Sequence, residues 1–371
     1  MQRLLGFLTL LTLLLTLSSC NTLEAEKTYE SSNGSNPFED QLITFLVPFQ
    51  AGGGSDVFAR FMTPHFTENI SGNPRVQVEN VPGGGSITGT NEYANSRSKN
   101  GLNLLTTSAS SHIPSILEQS SVTYDLGEMV PIIGAPTGGV VYTSPDMIED
   151  GLKEFSMKEG ELFYAGMSPT GLDLVTLLSF EVLDLDVKAV LGYEGKGPAR
   201  VAFEQGESNI DYQTTTAYKR NVQPLVENDE AVPLYSLGQI DESGNLIRDP
   251  QFPDLPTVEE IYIELHGKAP EGQSWEAYKH FVNASFTMQK ILWVHKDAPE
   301  ERVNTLIQSM ESLVENESFK NQSEEILENY DPLIGEPLET QVQSMLEIEE
   351  ETQKWILNFL MEEYEVDVNK L

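Results

Sequence analysis

The apolar positions of this chain change period at its glycines. Ile43, Phe45, Leu46 and Val47 make a short run of β-branched and bulky residues that stops at Pro48, which has no N–H for a sheet ladder and suits a strand end. Gly52, Gly53 and Gly54 follow. Beyond them Val57, Phe58, Phe61, Met62 and His65 take the spacing of an amphipathic helix, so the stretch predicts strand, bare loop and helix, with Ser55 or Asp56 starting the helix. The unit recurs at once: a strand over Val76 to Glu79, a turn at Gly83, Gly84 and Gly85, and a helix from about Ser86. Two such units in succession predict a parallel sheet whose carboxyl-end loops face one crevice.

Further along, a third strand over Leu102 to Thr107 runs into the hydroxyl-rich Ser108 to His112, ahead of a helix over Ile113 to Leu117, and makes a third wall for the crevice. Leu162 to Ala165 ends at Gly166 to Asp173, where Ser168 or Thr170 suits an N-cap. Strands are expected over Val187 to Leu191, Asn209 to Tyr212, Val232 to Leu237 and Leu292 to His295, with Thr214 to Thr216 facing the cleft. Asp241 to Pro253 is a polar, turn-rich return. Thr257 and Glu260 have the spacing of a capping box, and amphipathic helices are expected over Pro299 to Leu313 and Glu339 to Leu360.

A glycine loop before a helix lets an anion approach backbone N–H groups at the positive end of the helix dipole. Neither a Walker lysine nor G-x-G-x-x-G spacing is present, so nucleotide phosphate is not indicated. Asp56 would repel an anion unless turned inward, and is expected to accept N–H groups at the helix start. Arg60, Lys196 and Arg200 are the nearest cations and read as solvated surface groups, so capture is expected to rest on dipoles and hydrogen bonds.

The stretches Val47 to Asp56 and Val78 to Gly89 resemble the two signature loops of the tripartite tricarboxylate transporter receptors, the TctC or Bug-type extracytoplasmic solute-binding proteins. Phe163 to Leu174, Leu191 to Ala199 and Pro253 to Glu260 resemble later segments of that family in the right order, and the similarity weakens after Thr257. Tyr193 and Gly195 match the family's Val-Pro-Tyr-Lys-Gly, whereas Glu194 stands in place of its lysine. The resemblance implies an α/β, periplasmic-binding-protein-like (type II) fold, with two lobes that close on a small di- or tricarboxylate. One lobe would comprise residues 42–137 and 240–371, the other 138–239. It implies ligand contacts from Ala51, Gly52, Gly53, Gly54, Ser55, Gly84, Gly85 and Ser86 of the first lobe, with Ser108 and Ser110 on its third wall. The second lobe would supply Ser168, Thr170 and Tyr193. Phe49 either packs on the ligand's carbon skeleton or is buried under the loop. Delivery would be to membrane permease subunits.

The N-terminus carries one arginine, an apolar run from Leu4 to Leu17, and Ser18-Ser19 before Cys20, the pattern of a lipoprotein signal over residues 1–19 with lipidation at Cys20. Residues 20–41 are polar and read as a tether to the bilayer. Cys20 is the only cysteine, so no intramolecular disulfide is possible. The 58 acidic against 22 basic residues, net −36, exclude nucleic acid, whose binding needs phosphate neutralisation by Lys and Arg. Such a surface suits either high salt or high pH. No two of the five histidines stand at i, i+4 and none adjoins a cysteine, so neither a metal site nor a cofactor is indicated. His112 beside Ser110 and Ser111 lacks G-x-S-x-G and a third partner. A receptor is therefore expected rather than an enzyme; the alternatives are an extracytoplasmic hydrolase or a scaffolding lipoprotein.

Overall fold

The computed structural model describes residues 36–324 and 326–371; the expected signal segment and the lipidation site at Cys20 lie outside them. Pro37 to Leu371 form one compact unit. Phe38 is fully buried in the first core, with the Arg302 guanidinium 5.7 Å from its ring centre. The expected tether therefore gives way to folded chain before Gln41, because an aromatic ring in the polar stretch found a core to enter. Among the described residues no helix is long and apolar enough to cross a membrane.

Two five-stranded sheets carry the architecture. The first takes β1 (Leu42–Val47), β2 (Arg75–Asn80), β3 (Asn103–Ser108) and β4 (Met129–Ala135); the second begins with β5 (Gly139–Thr143), β6 (Leu162–Ala165), β7 (Val187–Val190), β8 (Ile210–Thr214) and β9 (Val232–Ser236). A small hairpin, β10 (Gln239–Ile240) with β11 (Leu246–Ile247), precedes β12 (Lys290–His295), which returns to the first sheet. The orders are β2-β1-β3-β12-β4 and β7-β6-β8-β5-β9. In each, parallel strands are joined by crossover helices, and one strand from elsewhere in the chain inserts antiparallel: β12 between β3 and β4, β5 between β8 and β9.

Local sequence explains the elements that set the loops. β1 is buried from Ile43 onward, as its continuous apolar run requires of a strand covered on both faces. The helix Gly54–Asn69 turns Phe58, Met62 and Phe66 onto that sheet, where the Helix Glu300–Glu315 also packs through Leu306 and Met310. Gly53 is its N-cap, so the helix starts one residue before the expected Ser55. Thr257 and Glu260 form the expected capping box. Two helix expectations need correction. The one after β3 begins at Ala109, not Ile113. Glu339 to Leu360 is not one helix but parts of two, Gly335–Leu346 and Glu350–Tyr364. A continuous helix would set Glu347 and Glu351 one turn apart as like charges; the break instead leaves Ile348 packed against the core.

Candidate functional site: a cleft between the two sheets

The first glycine loop is built by a carboxylate. Asp56 Oδ2 accepts the Gly52 N–H at 2.8 Å and the Arg60 Nε–H at 2.9 Å, while Oδ1 accepts from Asn80 Nδ2 at 2.9 Å. Gly52 has φ +85°, which a residue without Cβ adopts freely. Asp56 is buried, and the hydrogen bond from Arg60 leads in holding its carboxyl down at about 2. Asp56 is thus turned inward, as expected, but it accepts from the loop and from two side chains rather than from the first N–H groups of the helix. Two backbone donors expected for a ligand are spent here: Gly52 on Asp56, and Gly53 on the Gln50 carbonyl at 3.3 Å. Gly54 and Ser55 remain as first-turn N–H groups of a helix with no side-chain cap. Ala51 is exposed on the loop. Phe49 is partly buried against the first core, and its carbonyl accepts from Asn80 Nδ2 at 3.0 Å.

This loop opens on a cleft of about 530 Å³ whose walls come from both sheets. Gly52, Gly54 and Val57 lie on one side, with Gln289 and Lys290 at the start of β12; Thr214, Thr216 and Arg220 come from the end of β8 and the turns after it. Thr137, from the crossover between β4 and β5, and Glu328 complete it. A Cβ placed on Gly54 would lie 4.0 Å from Lys290 Cε, so the lysine stem runs beside the helix start. Among the described residues the Lys290 ammonium has neither an ion pair nor a hydrogen bond, and burial holds it below the ordinary lysine range.

The second glycine loop lines a separate cavity of about 290 Å³, in which Gly84, Gly85 and Ser110 meet Ser168, Thr170 and Gly171 from the second sheet's loop. Ser168 Oγ and Thr170 Oγ1 lie 3.2 Å apart. The expected loops of both lobes are thus brought together, but in two cavities. Ser86 departs from expectation. Its N–H donates to the Gly83 carbonyl at 3.1 Å, its hydroxyl donates to the Ser110 carbonyl at 3.0 Å and accepts from Ser111 Oγ at 3.0 Å, and it is buried. These bonds hold it at φ +112°, a conformation costly for a residue with a Cβ. Ser108 lies opposite Lys290 in the β3–β12 register and lines neither cavity. Tyr193 likewise lines neither, and packs on Ala165, Ala199 and Ala202.

The cations singled out from the sequence are engaged elsewhere. Arg60 pairs with Asp56, and Arg200 with Glu204. Lys196 is not a surface group: its side chain is 12% exposed, its ammonium donates to Asp211 Oδ1 at 2.6 Å, lies 3.7 Å from Asp173 Oδ1, and sits 4.2 Å from the centre of the Tyr212 ring. Both aspartates are fully buried. Asp173 also accepts Tyr164 OH and the N–H groups of Met167 and Ser168, at 2.9 and 3.2 Å, so the network shapes the loop that carries Ser168 and Thr170.

Lys290, Arg220, Glu328, Gln289 and Thr137 were missed by sequence reasoning, because only register and crossover bring these distant positions together. A lysine opening an apolar strand was the one local signal. His112 is buried between Thr107 Oγ1, 2.7 Å from Nε2, and the Ala284 carbonyl, 3.0 Å from Nδ1; burial pushes its imidazole down to about 4. It is a core group, not a base facing a cavity. Among the described residues no cluster of His, Cys, Asp or Glu is arranged to hold a metal ion.

No protein-family model matches the chain. A 229-residue stretch is 26% identical to a UPF0065 protein in the tcbD-tcbE intergenic region of a Pseudomonas species, covering 60% of this chain and 64% of that protein. A 228-residue stretch is 26% identical to the protein BugT of Bordetella pertussis, covering 59% and 65%. The chain therefore matches just under two thirds of the length of either relative. Among solved structures, a TctC solute-binding protein from Polaromonas superposes with a TM-score of 0.62 at 17% identity, over 90% of this chain and all of that one (100%). A Rhodopseudomonas palustris protein with adipate gives 0.57 at 19% identity, over 86% and 96%. MatC from the same organism, with bound malate, gives 0.53 at 17%, over 86% and 97%. By sequence the chain is similar to BugT and to the UPF0065 protein over part of its length, and it has the two-lobed periplasmic-binding-protein fold of the TctC-type structures.

Proposed function

We propose that this chain is an extracytoplasmic receptor, not an enzyme, that binds a small organic carboxylate between its sheets and delivers it to a tripartite-type membrane permease. The observation that carries the reading is Lys290, a cation that makes no ion pair or hydrogen bond among the described residues, beside the uncapped N-terminus of Gly54–Asn69 in a cleft walled from both sheets. Anion, ammonium and helix dipole would reinforce one another there. The lobes on this reading are residues 42–137 with 240–371, and 138–239, closing on the ligand as differential contacts favour the closed state. Lipidation at Cys20 would hold the receptor at the membrane. Malate and adipate in the related structures make dicarboxylates the first ligands to try.

The test is calorimetry on the mature chain with malate, adipate and succinate, repeated with Lys290→Gln. Affinity should fall at least tenfold, about 1.4 kcal/mol. It should also weaken steadily with added salt, the opposite of the tightening expected if capture rested on dipoles alone in a protein of strongly acidic surface. No heat with any carboxylate, or full affinity in the variant, would sink the proposal.

A further inference from the structure

Glu328 is a carboxylate in a cleft that otherwise favours anions, and its placement is enforced. Its Oε2 accepts the Thr137 hydroxyl at 2.6 Å, and its Oε1 accepts both the hydroxyl and, at 3.3 Å, the N–H of Thr216. Glu328 and Asn329 are consecutive non-glycine residues in the left-handed region, φ +57° and +60°. That backbone is costly. It is held on one side by buried Leu327 and on the other by Tyr330, whose hydroxyl meets Asp249 at 2.7 Å and Thr215 Oγ1 at 2.8 Å.

Lys290 lines the same cleft and feels the Glu328 charge, yet among the described residues the two opposite charges form no ion pair. A free glutamate would swing to an unpartnered ammonium. This one is fixed by three donors from Thr137 and Thr216, which leaves a positive group by Gly54 and a negative group by Thr216 held apart. Three of the roughly four lone-pair directions of the carboxylate are used, so one remains for a ligand donor. Arg220 also lines the cleft but is exposed, where solvent and salt screen it. Val57 and Ile326 add apolar surface to the same cleft.

We infer that the ligand is an amino carboxylate, its carboxylate taken by Lys290 and the Gly54 helix start and its ammonium by Glu328. The inference rests on the carboxylate-receptor reading and narrows it. A ligand lacking the ammonium leaves Glu328 facing apolar or anionic atoms, and the fixed charge then acts against it.

Matched pairs differing only in the amino group test this: alanine against propionate and glutamate against glutarate, titrated into the full-length chain, into Glu328→Gln and into Lys290→Gln. The wild-type chain should prefer the amino member of at least one pair by tenfold or more. Glu328→Gln keeps an acceptor for the threonines while removing the charge; it should bring that ratio to within about threefold of one, mainly by weakening the amino ligand. Lys290→Gln should weaken both members alike. Deaminated ligands that bind as well as amino ones, or a ratio unmoved in Glu328→Gln, overturn the ammonium site and leave the carboxylate receptor standing. Failure of both members of every pair, with malate and adipate also silent, overturns both.

Discussion

The Asp56 carboxylate accepts the Gly52 N–H at 2.8 Å, so the one acid in the first glycine loop is turned into the loop and away from any anion in the cleft. Arg60 and Asn80 converge on the same carboxylate, and Arg60 Nη2 also reaches Asn80 Oδ1 at 3.0 Å, tying helix, loop and the end of β2 together. Replacing Asp56 by Asn removes the charge from these bonds and should destabilise the protein by about 2 kcal/mol, the scale of a charge-assisted hydrogen bond. Chemical denaturation checks it. Unchanged stability with altered ligand preference would instead make Asp56 a ligand-facing group.

The three glycines of that loop are not equivalent. Gly53 has φ −77°, an ordinary value that a side chain tolerates; the left-handed residue is Gly52. Gly52→Val should therefore cost about 1–2 kcal/mol of stability. Gly54→Val points new methyls toward Lys290 and should instead lower carboxylate affinity tenfold or more with little change in melting temperature. Parallel melting and binding curves separate the two, and an identical pattern for both variants would refute the distinction.

Lys196 is expected to be a stability residue rather than a ligand clamp. Its removal as Lys196→Met leaves Asp173 and Asp211 buried without their cation, which should cost roughly 3–5 kcal/mol. The loop carrying Ser168 should also exchange its amide protons faster, since Asp173 holds the N–H groups of Met167 and Ser168. Undiminished stability would show that the two aspartates are neutralised some other way.

Acid should destabilise the fold through two buried imidazoles. Burial pushes both His112 and His280 down to about 4, against 6.5 when exposed. Between those values the unfolded chain binds more protons, so stability is full above about 6.5 and falls as pH drops toward 4. Asp249 works the other way: burial raises it to about 6 from 3.8, so it binds its proton in the folded state and opposes part of the loss. Denaturation midpoints from pH 7 to 4 should decline, and the decline should flatten in His280→Gln. A rise on acidification would contradict this account.

Much of the site's frame is local and so was readable from residue order. Period two ending at glycine and restarting near period 3.6 at Gly52 to Gly54 and Gly83 to Gly85 needs only neighbours to mean strand, loop and helix. Thr257 and Glu260 cap their helix for the same reason, being within one turn of each other. The inward turn of Asp56 followed from four residues of sequence. The break at Glu347 to Glu349 was not legible, because periodicity continues across it and only the core decides where Ile348 goes. Nor was the inward pinning of Ser86, which depends on the third loop arriving with Ser110 and Ser111. The charges of the cleft are the extreme case. Lys290, Arg220 and Glu328 line one cleft only because β12 inserts beside β3 and the chain crosses between the sheets at Thr137. Coulomb interactions depend on distance in space, and no spacing along the chain encodes a distance that two crossovers and a strand register set.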